Sequence, residues 1–165
     1  MTRLAIAMAL GPLVVCGGCG SSAAPTPPAN VAGEYTATLT ASATCSAKLP
    51  ADAWVLKYPA TVTQSGTAVQ VKLIHHQGST VTLTGTVSGQ TINFPSFAFG
   101  DNMTGGVVSL AAAGTANVGA DSLIAGTLSG TYQTPSGTNC NAADHQLQLK
   151  KCVTVCTGNV CTCAP

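Results

Sequence analysis

"GEYTATLT" (33–40) alternates without a break. Tyr35, Ala37 and Leu39 fall on one side of an extended chain, and Thr36, Thr38 and Thr40 on the other. Successive side chains of a strand point to opposite faces, so a period of two writes one dry face and one wet face. "STVTLTGTV" (79–87) repeats the pattern with Val81, Leu83 and Val87 on the dry side, and "IAGTLSGTY" (124–132) with Ile124, Leu128 and Tyr132. Further strands are expected at 58–64, 67–75, 90–94, 106–110, 113–118 and 145–151. The joins are short: "QSGT" separates two runs near residue 65, and Ser88-Gly89 offers a two-residue hairpin turn. The chain therefore reads as all-β, an antiparallel up-and-down meander of about eight or nine strands. Such a meander closes most simply into a small barrel, because closure leaves no exposed edge; a two-sheet β-sandwich is the alternative. No amphipathic helix of any length is legible, only one turn around Trp54 between Pro50 and Leu56. "GTVSG" (85–89) and "GTLSG" (126–130) echo each other, but their surroundings differ, which favours two similar turn-and-strand pieces over a repeat.

The N-terminus sets the compartment. "MTRLAIAMALGPLVVC" has one early cation, Arg3, and then an apolar run from Leu4 to Val15. That run is too short to cross a hydrocarbon core of about 30 Å as a helix and fits a secretory signal. "VCGGCGSSAAPTPP" then resembles the cleavage box of bacterial lipoproteins, in which a cysteine after small residues is acylated (palmitate-type chains) and becomes the new N-terminus. Gly17 and Gly18 precede Cys19, while Cys16 stands where that pattern has Leu; Cys16 itself, with Leu13 before it, is the rival acceptor. The resemblance implies lipidation at Cys19, alternatively Cys16, and with Gly20 next in line an outer-membrane, lipid-anchored location in the cell envelope. "GSSAAPTPPAN" has no charge and no periodicity and reads as an extended tether. The expected organisation is a signal peptide at 1–18, a tether at 19–31, a β-barrel domain at 32–151 and a Cys-rich appendage at 152–165.

Composition removes several functions. Charged residues make up only 7% of the 165, against about 25% in ordinary soluble domains. Once Arg3 leaves with the signal, cations and acids balance, so there is no basic stripe for nucleic acid and no polybasic membrane patch. The membrane is a partner through the N-terminal lipid alone.

Export also bears on "CVTVCTGNVCTC" (152–163). Outside a reducing cytosol an even set of cysteines is usually a disulfide framework. Cys45 follows the first strand and Cys140 precedes the last, and these strands are neighbours in a closed barrel, so Cys45–Cys140 is the first pair expected. In the tail Gly158-Asn159 forms a turn tip that sets Cys156 against Cys161 and leaves Cys152 with Cys163. No metal site is expected: the tail spacing departs from zinc ribbons, and the adjacent His75 and His76 point apart on a strand.

Gly33-Glu34-Tyr35 on the first strand, followed by a meander, resembles the lipocalin-like barrels, which have Trp where Tyr35 stands and an arginine where this chain has Lys150 and Lys151. "LSGTYQTPSG" (128–137) is similar to a strand of the avidins, which share the barrel. Avidin pockets are walled by several tryptophans, and with Trp54 alone biotin binding is not expected. The resemblance implies a small apolar ligand, held by a pocket drawn from Tyr35, Phe97, Phe99 and Tyr132. "NFPSFAFG" (93–100) fits a loop at the mouth of such a pocket, or rings that fill the barrel core.

Catalysis is not expected and no cofactor is implied. No nucleophile elbow, metalloprotease helix or phosphate loop is present, and Glu34, Asp52, Asp101, Asp121 and Asp144 are scattered. Asp101 and Asp121 stand beside glycine turns, and Asp144-His145 reads as a solvated turn. Two functions remain: a non-catalytic tethered lipoprotein with a structural or interaction role in the envelope, or a lipocalin-like module for a small apolar ligand.

Overall fold

The computed structural model describes residues 26–45, 47–75, 78–103, 105–157 and 160–164, the last two segments from 153 onward by their backbone. The signal, the lipidation cysteines and His76 lie outside these residues. Among them the strands are β1 Gly33–Thr40, β2 Val55–Ser65, β3 Ala68–Ile74, β4 Thr80–Ser88, β5 Thr91–Met103, β6 Gly106–Val118, β7 Ile124–Gln133, β8 Asn139–Lys151, β9 Val153–Thr157 and β10 Val160–Ala164. The first eight form a closed antiparallel barrel in chain order, and β9 and β10 form a separate hairpin. Closure is made by β1, which pairs with β2 on one side and β8 on the other: Leu39 stands opposite both Leu56 and Leu147, and Ala37 opposite both Tyr58 and Leu149. The dry face of every strand turns into the bore, where Leu39, Leu73, Leu83, Ile92, Leu110, Ile124, Leu128 and Leu147 are fully buried. Eight strands enclose a bore just wide enough for side chains to fill. This is the barrel and not the two-sheet sandwich.

Several strands run further than periodicity suggests. "NFPSFAFG" is no loop: β5 passes straight through it, with a register shift between Phe94 and Phe97. Pro95 has no N–H to give the ladder, so the strand bulges there and resumes with Phe97 and Phe99 inward. The two pieces expected at 106–110 and 113–118 are one strand, although "AAAG" (111–114) consists of poor strand formers. Small residues are required there because β6 and β7 approach closely. A Cβ on Gly114 would overlap the carbonyl of Thr127, one on Gly126 that of Thr115, and one on Gly130 that of Ala111. β8 starts at Asn139, well before 145. The β4–β5 turn is Gly89-Gln90, with Gly89 at φ 56° and Ser88 paired to Thr91, so the turn sits one residue later than expected. The glycine echo has no common geometry, since Gly89 is a turn and Gly130 lies within a strand.

The two ends of the barrel are finished differently. At the end where β1 begins and β8 finishes, residues 29–31 of the expected tether lie across the mouth. Ala29 N–H donates to Gly89 O (2.7 Å), Gln64 binds both Val31 N–H and Ala29 O (2.8 and 3.0 Å), and Tyr35 Oη donates to Val31 O (2.9 Å). Lys151 stands opposite Tyr35 in register and brings its Cε and Nζ beside Gly33. At the other end the β1–β2 connection, residues 41–54, folds over the mouth through two short 3-10 turns, with Cys45, Leu49 and Ala53 buried. Cys45 is disulfide-bonded to Cys140, Cα–Cα 5.6 Å, which ties this strap to β8. In the tail Cys152 is also disulfide-bonded; the side chain of its expected partner Cys163 lies outside the described residues. The β9–β10 register sets Cys156 opposite Cys161.

Two stability outcomes follow from this architecture. The double variant Cys45→Ala/Cys140→Ala releases a loop of sequence separation 95 and is expected to lose about 2–5 kcal/mol in urea titration, with an unchanged native spectrum; an unmoved midpoint would show that the strap needs no latch. Gly126→Ala is expected to abolish cooperative unfolding, whereas Gly66→Ala, at φ 60° in open space, loses only about 1 kcal/mol.

Candidate functional site

Ring packing fills the bore. Of the residues expected around a pocket, Tyr35 and Tyr132 are 1% exposed, Phe99 5% and Phe97 7%. Phe97 and Phe99 stack at 6.5 Å, and Tyr58 meets Phe99 edge-on at 6.1 Å. Phe94 packs edge-on against Phe97 at 6.4 Å, while Tyr132 faces His145 at 5.0 Å. Tyr35 belongs to the opposite, tether-sealed end and is not brought together with the others. Nearness of hydrophobic spacing alone could not reveal Tyr58 and Phe94 as members of this stack, because the register of closure decides which rings meet.

Within the strap end lies a polar knot that sequence reading missed. Asp101 is buried inside β5 and is not a turn residue; its Oδ2 accepts from Tyr58 Oη at 2.7 Å and its Oδ1 from Asn102 N–H at 2.9 Å. His75 Nδ1 stands 3.8 Å from Asp101 Oδ1 and 3.3 Å from Ser79 Oγ. The turn that places this ring is held by His75 N–H to Ser79 O (2.8 Å) and Gly78 N–H to His75 O (2.9 Å). His145 is likewise no solvated turn residue. It is buried on β8, where its Nδ1 accepts from Ser42 N–H at 2.9 Å and its Nε2 faces Gly130 O at 3.2 Å. The ring therefore carries its hydrogen on Nε2 and pins the start of the strap to β8. Asp121, by contrast, does occupy the expected turn, at φ 56°.

Two buried polar atoms of this region, His75 Nε2 and Tyr132 Oη, have no hydrogen-bond partner among the described residues. Burial pushes the Tyr132 phenol up to about 12. Tyr58 is pushed upward further, by burial first and then by its hydrogen bond to the Asp101 carboxylate and that group's charge. Both phenols thus hold their protons throughout the ordinary pH range. Among the described residues no three His, Cys, Asp or Glu side chains gather as a metal-holding group. The knot anchors rings; it presents no nucleophile to solvent.

Open space lies on the outer wall. A cleft of about 430 Å³ is lined by Thr36, Thr38, Lys57, Gln148 and Lys150, and one of about 180 Å³ adjoins it at Thr36, Lys57 and Pro59. A third, of about 390 Å³, forms where residues 26–28 lie across Thr67 and 87–89. Comparison with protein-family models, with curated proteins and with solved structures found no match.

Paired substitutions separate the satisfied hydroxyl from the orphan. Tyr58→Phe leaves Asp101 Oδ2 without its donor and is expected to cost about 1–3 kcal/mol, whereas Tyr132→Phe removes an unpartnered buried hydroxyl and is expected to be neutral or mildly stabilising. With pH the sign runs one way. A raised phenol is protonated in the folded state after the unfolded chain has released its proton, so stability is whole below pH 10 and drains as pH climbs towards about 12. The loss is about 1.4 kcal/mol per unit for this one group. Urea midpoints through that window should fall less steeply in Tyr132→Phe; identical slopes would overturn the assignment.

Proposed function

We propose that this chain is an exported, lipid-tethered barrel of non-catalytic type, anchored at Cys19 (or Cys16) in the bacterial outer membrane, with a structural or interaction role in the cell envelope. The observation that carries the reading is the division of the molecule into a bore packed with buried rings and a polar outer wall that carries a cleft of threonines, lysines and an amide. A carrier of small apolar ligands keeps a lined cavity of a few hundred Å³, whereas here buried rings and aliphatic side chains pack in the bore and a cleft of about 430 Å³ lies between threonines and lysines outside the barrel.

Orientation supports the tether. Residues 29–31 lie across one mouth, and Cys152 N–H donates to Glu34 O (2.8 Å) at the same end, so the chain joins and leaves the barrel on one side. A lipid on the N-terminus would place that end toward the bilayer and the disulfide-latched strap away from it. Among the described residues no helix is long and apolar enough to cross a membrane.

Native intact mass of the protein purified from its own membrane fraction, with and without reduction, tests the reading. The expected species is acylated, begins at Cys19, has every later cysteine paired, and carries no further small molecule. An unacylated mass would overturn the tether, and a stoichiometric apolar passenger would return the barrel to the ligand-binding class.

A further inference from the structure

The seam strand β1 turns its wet row, Glu34, Thr36, Thr38 and Thr40, to the outside. Threonine is short, and the flanking strands present longer side chains beside it. Thr38 lies between Lys57 of β2 and Gln148 of β8, and Thr36 between Pro59 and Lys150. Short residues between tall neighbours make a trough, and this is the cleft of about 430 Å³, continued past Lys57 and Pro59 by the adjoining 180 Å³. Its floor carries two hydroxyls, its sides an amide and two ammonium groups. None of these five side chains has an ion pair or side-chain hydrogen bond with another described residue.

Charge is unevenly placed for so neutral a chain. Lys57, Lys72 and Lys150 belong to the outer face of β2, β3 and β8, around this seam. The acids lie elsewhere or are engaged. Asp101 is inside the barrel, Asp52 and Asp121 are on the mouth turns, and Asp144 is on β8 beyond the trough. Glu34, at the tether end of the same row, accepts from Thr61 Oγ1 at 2.9 Å. Lys57 and Lys150 occupy opposite corners, two strand spacings and one residue pair apart, so their Cα atoms are separated by roughly 12 Å. With their side chains held apart, the two ammonium groups can meet two anionic groups spaced along one extended chain.

We propose that this trough binds an acidic, carboxylate-bearing polysaccharide, with one carboxylate on Lys57, another on Lys150, and sugar hydroxyls on Thr36, Thr38 and Gln148. A floor of hydroxyls and an amide exchanges hydrogen bonds with a polyol, whereas a protein partner would want an apolar centre and single-stranded nucleic acid an aromatic platform. Each corner offers one point-like ammonium, which pairs with one anionic group at a time, as carboxylates spaced along a glycan present them. Single contacts on such an open surface are weak, and many lipid-tethered copies along one glycan would raise the effective affinity. The inference deepens the envelope role proposed above by naming its partner class and rests on that reading for the partner's availability.

Calorimetric titration of the full lipidated protein in neutral detergent with an oligogalacturonate tests it, beside a neutral dextran oligomer and a linear polyphosphate of similar length. Binding of the oligogalacturonate alone is expected, weakening as salt is raised. Lys57→Gln/Lys150→Gln should reduce affinity about five- to tenfold, and Lys48→Gln, on the strap, should leave it unchanged. Equal binding of dextran, tighter binding of polyphosphate, or indifference to the double variant would each overturn the assignment; Thr36→Val/Thr38→Val, which retains the lysines, must also weaken binding if the floor takes part. An acylated protein that binds no oligogalacturonate refutes the trough and leaves the tether standing, whereas an unacylated protein that binds it refutes the tether and leaves the trough.

Discussion

The backbone of β1 finds partners on both sides, β2 on one and β8 on the other, and the remaining features depend on that double pairing. An open meander would leave two strands with unpaired N–H and C=O groups, each a template for aggregation. Closure removes both edges at once and fixes the circumference at eight strands. A ring of that size has room for side chains or for one small ligand. Here the dry faces of all eight strands turn into the bore, and buried tyrosines and phenylalanines pack there among the aliphatic side chains.

Closure also explains the two features that look unfavourable in isolation. Glycines and alanines in β6 and β7 weaken each strand by propensity, yet the strands cross so closely at Gly114, Gly126 and Gly130 that any side chain would strike a carbonyl or the Cα beyond it. Asp101, His75 and His145 are placed in a medium that penalises polar groups. Each of them has work to do in finishing the strap end: Asp101 fixes Tyr58, His145 ties Ser42 to β8, and His75 caps the β3–β4 turn. The disulfide acts on the same segment from the other side. The barrel thus holds its long connection by one covalent bond and a small set of buried hydrogen bonds.

Alternation made β1, β4 and β7 legible residue by residue, because one face of each is dry and the other wet. The tail of β5 was not legible. Proline in "NFPSFAFG" reads as an interruption, and only the neighbouring strand shows that the ladder slips past Phe94 and resumes at Phe97. Asp101 and Asp144-His145 look alike along the chain, each a polar residue near a glycine or a loop; one aspartate and the histidine are buried while Asp144 stays exposed. Their inward or outward sense is set by the parity of a strand whose start cannot be seen locally.

What the amino-acid sequence determined by itself was the all-β class, the meander and the expectation that Cys45 meets Cys140, since each of these depends on local period or the adjacency of first and last strands. Tertiary structure decided the bore and the wall. Which rings stack, which acid is buried and which lysines flank a threonine floor all depend on cross-strand register, and register is a relation between segments that no single segment contains.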